Sequence, residues 1–193
     1  MVNNKLSPTN ILFLEPEEKV QYQNFKAGLE ETKRIMNRIE TNTIRPTNLE
    51  VATDASLVAS GYTEYDIANG GIKIHISPKP IQVVNPTPQQ EEDFDDKLNM
   101  YYGNIAHELK HVEQYLDGKI SFDKTTGHQG VLHDAIDEKE AYDLYFLMIG
   151  QRNTEYDTAT KIKTISIYSG LSEFNHNVWV TPASTLINDF YIR

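Results

Sequence analysis

The sequence predicts an α+β domain, a small mixed or antiparallel sheet packed on one long helix and followed by a mainly helical C-terminal part. Three observations carry that expectation. Apolar side chains keep helical spacing from Asp93 to Tyr115, at Phe94, Leu98, Tyr101, Ile105, Leu109 and Val112. In Ile72-Lys73-Ile74-His75-Ile76 the isoleucines alternate strictly with polar residues, as a strand with one buried face requires. A second helical pattern runs through Ile136, Ala141, Leu144, Phe146, Leu147 and Ile149.

Taken in order, Glu15-Pro16 opens the first element. A proline suits a first helical turn, Glu17 and Glu18 lie where the positive helix end favours them, and Val20, Phe25, Leu29, Met36 and Ile39 continue an amphipathic helix to about Ile39. Thr41 to Asn48 reads as a turn, and Leu49 to Thr53 as a short strand. Gly70-Gly71 precedes the isoleucine strand, and Pro78 and Pro80 end it. The proline-rich stretch from Pro78 to Glu92 reads as an exposed connector. Asp117-Gly118 stops the helix over 93–115, and Lys119 to His133, with Gly127 and Gly130, reads as a loop. The second core helix ends at Gly150, and Gly150 to Thr160 is polar. The stretch from Ile162 to Tyr168 fits a strand or a short helix equally. The whole is expected to form one domain over 1–193, with a helix-and-sheet part to about residue 92 and the remainder from about 93.

Composition narrows the function classes. The chain has 193 residues, 39% of them hydrophobic, with 11 Tyr and 7 Phe, enough apolar surface to fold. Its net charge is −10, from 18 Lys plus Arg against 28 Asp plus Glu, and no basic cluster is present, which argues against nucleic acid or an anionic membrane as a partner. With no cysteine, a bound metal must take nitrogen and oxygen ligands. The apolar run Ile11-Leu12-Phe13-Leu14 is too short for a signal peptide core or a membrane span, so secreted and cytoplasmic locations both stay open, for a whole protein or an excised domain.

The chemistry concentrates in His107-Glu108-Leu109-Lys110-His111. Residues four apart share a helix face, so both imidazoles can reach one ion, while Glu108 lies beside them to act on a water. Zn²⁺ suits such a site. A third ligand must come from downstream, where Glu138, Glu140, His128 and His133 are the candidates. Gln114 and Asp117 occupy the places at which metzincins carry a glycine and a third histidine, which excludes that subclass. Glu140 is preferred, because Ala141 beside it permits close packing on the motif helix. Catalysis would also need an oxyanion donor; His133 is favoured, since its loop leads into the second helix, with His128, Tyr142, Tyr145 and Tyr168 as alternatives. His75 is expected to be exposed, Trp179 to pack, and His176 has no assigned role. The acidic runs Glu91-Glu92-Asp93 and Asp95-Asp96 read as helix-start carboxylates rather than a cation site.

The run His107-Glu108-Leu109-Lys110-His111-Val112-Glu113-Gln114, followed by Asp137-Glu138-Lys139-Glu140-Ala141-Tyr142, resembles the gluzincin class of zinc metallopeptidases. It is similar to small bacterial domains with a HELxHxxQ helix and a later ExEAY or ExEAD helix, some found as toxin tips of RHS/YD-repeat proteins. The resemblance covers about Asn104 to Leu147. It implies a zincin-like fold, a Zn²⁺ ion held by His107, His111 and Glu140, and hydrolysis of a peptide or protein substrate through a zinc-bound water activated by Glu108. It leaves open whether an inhibitor or immunity protein exists. The interval from His111 to Glu140 exceeds the shortest gluzincin spacings, which keeps Glu138 and His133 open as ligands. Asp143 and Leu144 stand one turn past Glu140, where the larger gluzincins carry an aspartate that orients a histidine. The alternative is a non-catalytic relative with a structural zinc or a partner-binding role; the intact Glu108 favours the enzyme.

Overall fold

The computed structural model describes residues 14–43, 48–57, 60–123, 125–129 and 132–173, together with the backbone of 191–192. Trp179 and His176 lie outside the described residues.

Helix α1 spans Pro16–Thr41, and the Glu18 carboxylate accepts from the Glu15 N–H at 3.0 Å to cap its start. Its inward face carries Gly28, Ile35 and Ile39. Gly28 lets α1 approach the chain at Leu147-Met148 closely: a Cβ there would stand 2.8 Å from the Leu147 carbonyl carbon.

Three strands follow, β1 (Leu49–Thr53), β2 (Gly61–Asp66) and β3 (Gly71–Ile76), in the order β1-β3-β2. β1 runs parallel to β3 and β2 antiparallel to it, so the sheet is mixed; Val51 and Thr63 both lie opposite Ile74. The alternating isoleucines behave as expected, with Ile72, Ile74 and Ile76 all buried. Full burial of such a side chain contributes about 1.5–3 kcal/mol. β2 has no counterpart in the sequence reading, because Gly61-Tyr62-Thr63-Glu64-Tyr65-Asp66 contains no aliphatic residue. Its turn into β3 is closed by Asp66, whose carboxylate accepts from the Ala68 and Asn69 N–H groups, and by Gly70 at φ 71°. His75 is not exposed as expected: its Nε2 donates to a Glu64 carboxylate oxygen at 2.8 Å, and its ring stacks on Tyr62 at 4.3 Å.

Helix α2 spans Pro88–Leu116 and so begins five residues before Asp93. The connector is correspondingly shorter than Pro78 to Glu92. Thr87 and Gln90 form a capping box, the Gln90 N–H donating to Thr87 Oγ1 at 3.3 Å and the Thr87 N–H to Gln90 Oε1 at 2.9 Å, with Pro88 in the first turn. The helix stops at Asp117-Gly118, Gly118 taking φ 66°.

The loop that follows contains a two-residue strand, β4 (Phe122–Asp123), paired antiparallel with β5 (Tyr191–Ile192). The helix expected over 136–149 is α3 (Ala135–Met148), started by Asp134, whose carboxylate accepts from the N–H groups of Ile136 and Asp137 at 2.8 and 3.1 Å. Beyond it the ambiguous stretch is helical, a single turn α4 (Ala159–Ile162) and a 3₁₀ turn over Ser166–Tyr168. One core cluster joins Ile35 and Ile39 of α1, Ile72 and Ile74 of β3, Ala106, Leu109, Val112 and Tyr115 of α2, and Leu144 and Met148 of α3. It draws on both parts of the chain and holds α2 between the sheet and α3. Arg34 and Arg38 of α1 clasp the buried Glu113 of α2 at 2.6 and 3.1 Å from the side away from the motif histidines, and Lys110 adds a third contact at 2.8 Å.

Candidate metal centre

One turn of α2 separates His107 from His111, and their rings meet nearly edge to face, at 82° with centroids 4.8 Å apart. Their Nε2 atoms are 3.2 Å apart. From α3, Glu138 brings Oε2 to 3.3 Å from His107 Nε2 and Oε1 to 3.4 Å from His111 Nε2. The two histidines and Glu138 each offer one donor atom, these atoms lie within 4.8 Å of one another, and all three residues are buried. Among the described residues this is the one His and carboxylate group able to hold a metal ion.

The donor set could hold a metal ion. His107 Nε2 lies 3.2 Å from His111 Nε2 and 3.3 Å from Glu138 Oε2, close to the about 3.3–3.4 Å between ligand atoms of a tetrahedral ion with bonds of about 2.0–2.1 Å, while the 3.4 Å approach to His111 Nε2 is made by the other oxygen, Oε1. Glu138 Oε2 is buried and, apart from its 3.3 Å approach to His107 Nε2, meets no well-formed hydrogen-bond donor among the described residues, an arrangement that a cation would satisfy. The charge pattern agrees. Burial opposes a proton on His111, yet Glu138 overrides it and raises His111 to about 9; Glu138, despite its burial, is held well below the usual carboxylate range by His111 and His107. The pocket therefore calls for positive charge, which a divalent ion can supply in place of that proton.

Glu138 stands where Glu140 was expected. Residues two apart are about 200° apart around a helix axis, so only one of these glutamates can face the histidine pair. The Glu140 carboxylate turns instead to Lys119 Nζ, 2.9 Å from each oxygen, and to Gln114 Nε2 at 3.3 Å. The small Ala141 does mark the face of α3 that packs closely, being fully buried, but a residue shares its face with neighbours three or four away rather than with the one beside it. That spacing selects Glu138.

Gln114 is a site residue that sequence reasoning passed over. Its side-chain NH₂ donates to the Asp137 carbonyl at 2.8 Å, which turns its Oε1 toward His111 Nδ1, also at 2.8 Å. A His111 that gives up its Nε2 proton to a metal would keep the other on Nδ1, held by Gln114 Oε1, and turn the Nε2 lone pair to the donor centre. Its position three residues after His111 was the available signal. Glu140 enters one bond further out, accepting from Gln114 and Lys119.

The remaining candidates divide by position. His133 is buried with Nε2 2.7 Å from Glu138 Oε1, so this nitrogen steadies the carboxylate and is not directed to an oxyanion as expected. The Tyr142 ring meets the His107 ring edge-on at 4.7 Å, and Tyr168 lies 6.4 Å beyond it. Burial, and then the Glu138 charge, push the Tyr142 phenol up to about 12 and Tyr168 higher still, so both hydroxyls stay protonated. Tyr145 packs on Gly103 of α2, and His128 is exposed, 3.8 Å from Glu64; neither is among the three residues brought together. Glu108 is buried on the sheet side of α2, its Oε2 accepting from Thr63 Oγ1 at 2.8 Å.

Comparison with protein-family models, with curated proteins and with solved structures yields no match. The site is therefore read from its own chemistry. No helix among the described residues is long and apolar enough to cross a membrane.

Proposed function

We propose that the protein is a zinc-dependent peptidase of zincin-like build, with His107, His111 and Glu138 holding the metal and Glu108 as general base. The observation that carries this reading is the convergence of two imidazole nitrogens and one buried carboxylate, their donor atoms within 4.8 Å of one another, with a second carboxylate on the residue next to the first histidine. A bound zinc would act as a Lewis acid on a carbonyl oxygen and make a water more acidic. Gln114 sets the tautomer of His111, and His133 holds one oxygen of Glu138 so that the other stays available. Glu108 takes the proton of the attacking water and returns it to the departing amine. Tyr142 and Tyr168 offer protonated phenols as candidate donors to the developing oxyanion.

A peptide is the favoured substrate because β2 is an edge strand whose Thr63 contacts the motif helix: Gly127 takes the Tyr65 N–H at one end, and an extended peptide can add its backbone hydrogen bonds at the Gly61–Thr63 end. The test pairs zinc stoichiometry by elemental analysis with cleavage of a set of quenched-fluorescence peptides. About one zinc per chain and cleavage that is lost in Glu108→Gln support the reading. Stoichiometric zinc without cleavage of any peptide would leave a structural metal site instead.

A further inference from the structure

The sheet meets the motif helix at a polar contact. Along β2, Tyr62 and Glu64 turn outward to His75, while Gly61, Thr63 and Tyr65 turn inward: Tyr65 packs on the core, and Gly61 and Thr63 both border Glu108. Thr63 is 2% exposed, and its Oγ1 lies 2.8 Å from Glu108 Oε2 and 3.2 Å from the Glu108 backbone carbonyl. A hydroxyl has one proton to donate, and the carboxylate is both the nearer and the stronger acceptor. Two positions earlier on the same face, a Cβ on Gly61 would stand 3.2 Å from Glu108 Cγ and 3.0 Å from both the His75 carbonyl oxygen and Ile76 Cδ1. The glycine leaves room for the methylenes of Glu108, and the threonine takes its carboxylate.

We propose that Thr63, with Gly61 beside it, is a positioning residue that ties one oxygen of Glu108 to the sheet and so leaves the other to exchange protons with water and leaving group. The inference rests on the reading of Glu108 as the base. A general base must lie within hydrogen-bond reach of the proton it takes, and a glutamate has three side-chain torsions through which to miss it. The main-chain hydrogen bonds of α2 fix where Glu108 starts; they do not fix where its carboxylate ends. A bond from a different layer of the fold supplies that second anchor. It also couples the sheet to the reacting group, because Thr63 is held in register opposite Ile74 of the central strand.

The alternative is that Thr63 only satisfies a buried polar contact, in which case its loss weakens folding and leaves catalysis alone. Thr63→Val keeps the β-branched shape and removes the donor; Thr63→Ser keeps the donor. Both are to be compared, zinc-loaded, with the unaltered protein and Glu108→Gln, using the best-cleaved quenched-fluorescence peptide together with crystal structures of the unaltered and Thr63→Val proteins. The expected result for Thr63→Val is a kcat lower by about 10–100-fold with KM and zinc content unchanged, the scale of a carboxylate misplaced by about 1 Å. Thr63→Ser restores the rate, and the Thr63→Val crystal shows Glu108 swung away or split between rotamers. An unchanged kcat with Glu108 in its original place overturns the proposal. If the unaltered protein cleaves no peptide, the peptidase reading fails on its own; the position of Glu108 in the Thr63→Val crystal still decides the anchor, a single unmoved conformer refuting it.

Discussion

Replacing Glu138 by Gln, and separately Glu140 by Ala, distinguishes the two carboxylates of α3 in one experiment. Glu138 lies 3.3 and 3.4 Å from the two histidine nitrogens, whereas Glu140 reaches His111 only through Gln114, at 3.3 and then 2.8 Å. Loss of an outer partner of a metal ligand costs about 10–100-fold in affinity, and Glu140 is one bond further out than such a partner, so Glu140→Ala is expected to cost about tenfold or less. Glu138→Gln removes the only anionic ligand of the three and is expected to weaken zinc by more than about 100-fold, or about 2.8 kcal/mol. Glutamine preserves the volume in the pocket, and circular dichroism of the metal-free proteins checks that both variants fold. Competition against a chromophoric chelator measures the affinities. Near-normal zinc binding by Glu138→Gln, with loss in Glu140→Ala, would refute the argument from helix rotation.

The other predictions follow from the same contacts. Glu108→Gln should keep its zinc and lose about 10²–10⁴-fold in peptide hydrolysis, measured as kcat; an unaffected rate would remove Glu108 from the role of base. Gln114→Ala should weaken zinc by about 10–100-fold by freeing the His111 tautomer, read in the same chelator competition. Chelation should lower the thermal midpoint, because zinc at about a thousand times its Kd stabilises the folded state by about 4 kcal/mol. Glu113 should make folding acid-sensitive. Against its burial, Lys110 and then Arg34 hold its carboxyl at about 2, below the ordinary 4.5. A depressed carboxylate contributes fully above its unfolded value, and its contribution fades as pH falls from about 4.5 toward 2. With Arg34 and Arg38 partly solvated the effect should be about 1–3 kcal/mol, seen as a smaller loss of urea resistance between pH 6 and pH 3 in Glu113→Gln than in the unaltered protein.

The legible parts of the fold were those with an undiluted period. The isoleucines of β3 and the apolar stripes of α2 and α3 face one core, and a residue's side follows directly from its number. β2 escaped because two of its three inward residues, Gly61 and Thr63, are matched to the space and the hydrogen bond at Glu108, which leaves Tyr65 alone to pack on the core. The first turn of α2 was hidden by its polar composition, although Thr87 and Gln90 form a capping box that the sequence spells out. In the site, His107 and His111 were readable because a helix fixes them relative to each other. The third donor was harder, since it depends on how α3 is rotated against α2, which turns the face carrying Glu138 and the buried Ala141 inward. The roles of Gln114 and His133 depend on which carboxylate enters, so they became visible only once Glu138 was in place.

The proposed function rests first on a divalent metal among His107, His111 and Glu138. Anomalous diffraction from crystals of the zinc-loaded protein, recorded on either side of the zinc absorption edge, tests it directly. One strong peak is expected about 2.0–2.1 Å from both histidine Nε2 atoms and from a Glu138 oxygen, absent below the edge. A peak elsewhere, or none at this site at full zinc loading, would contradict it.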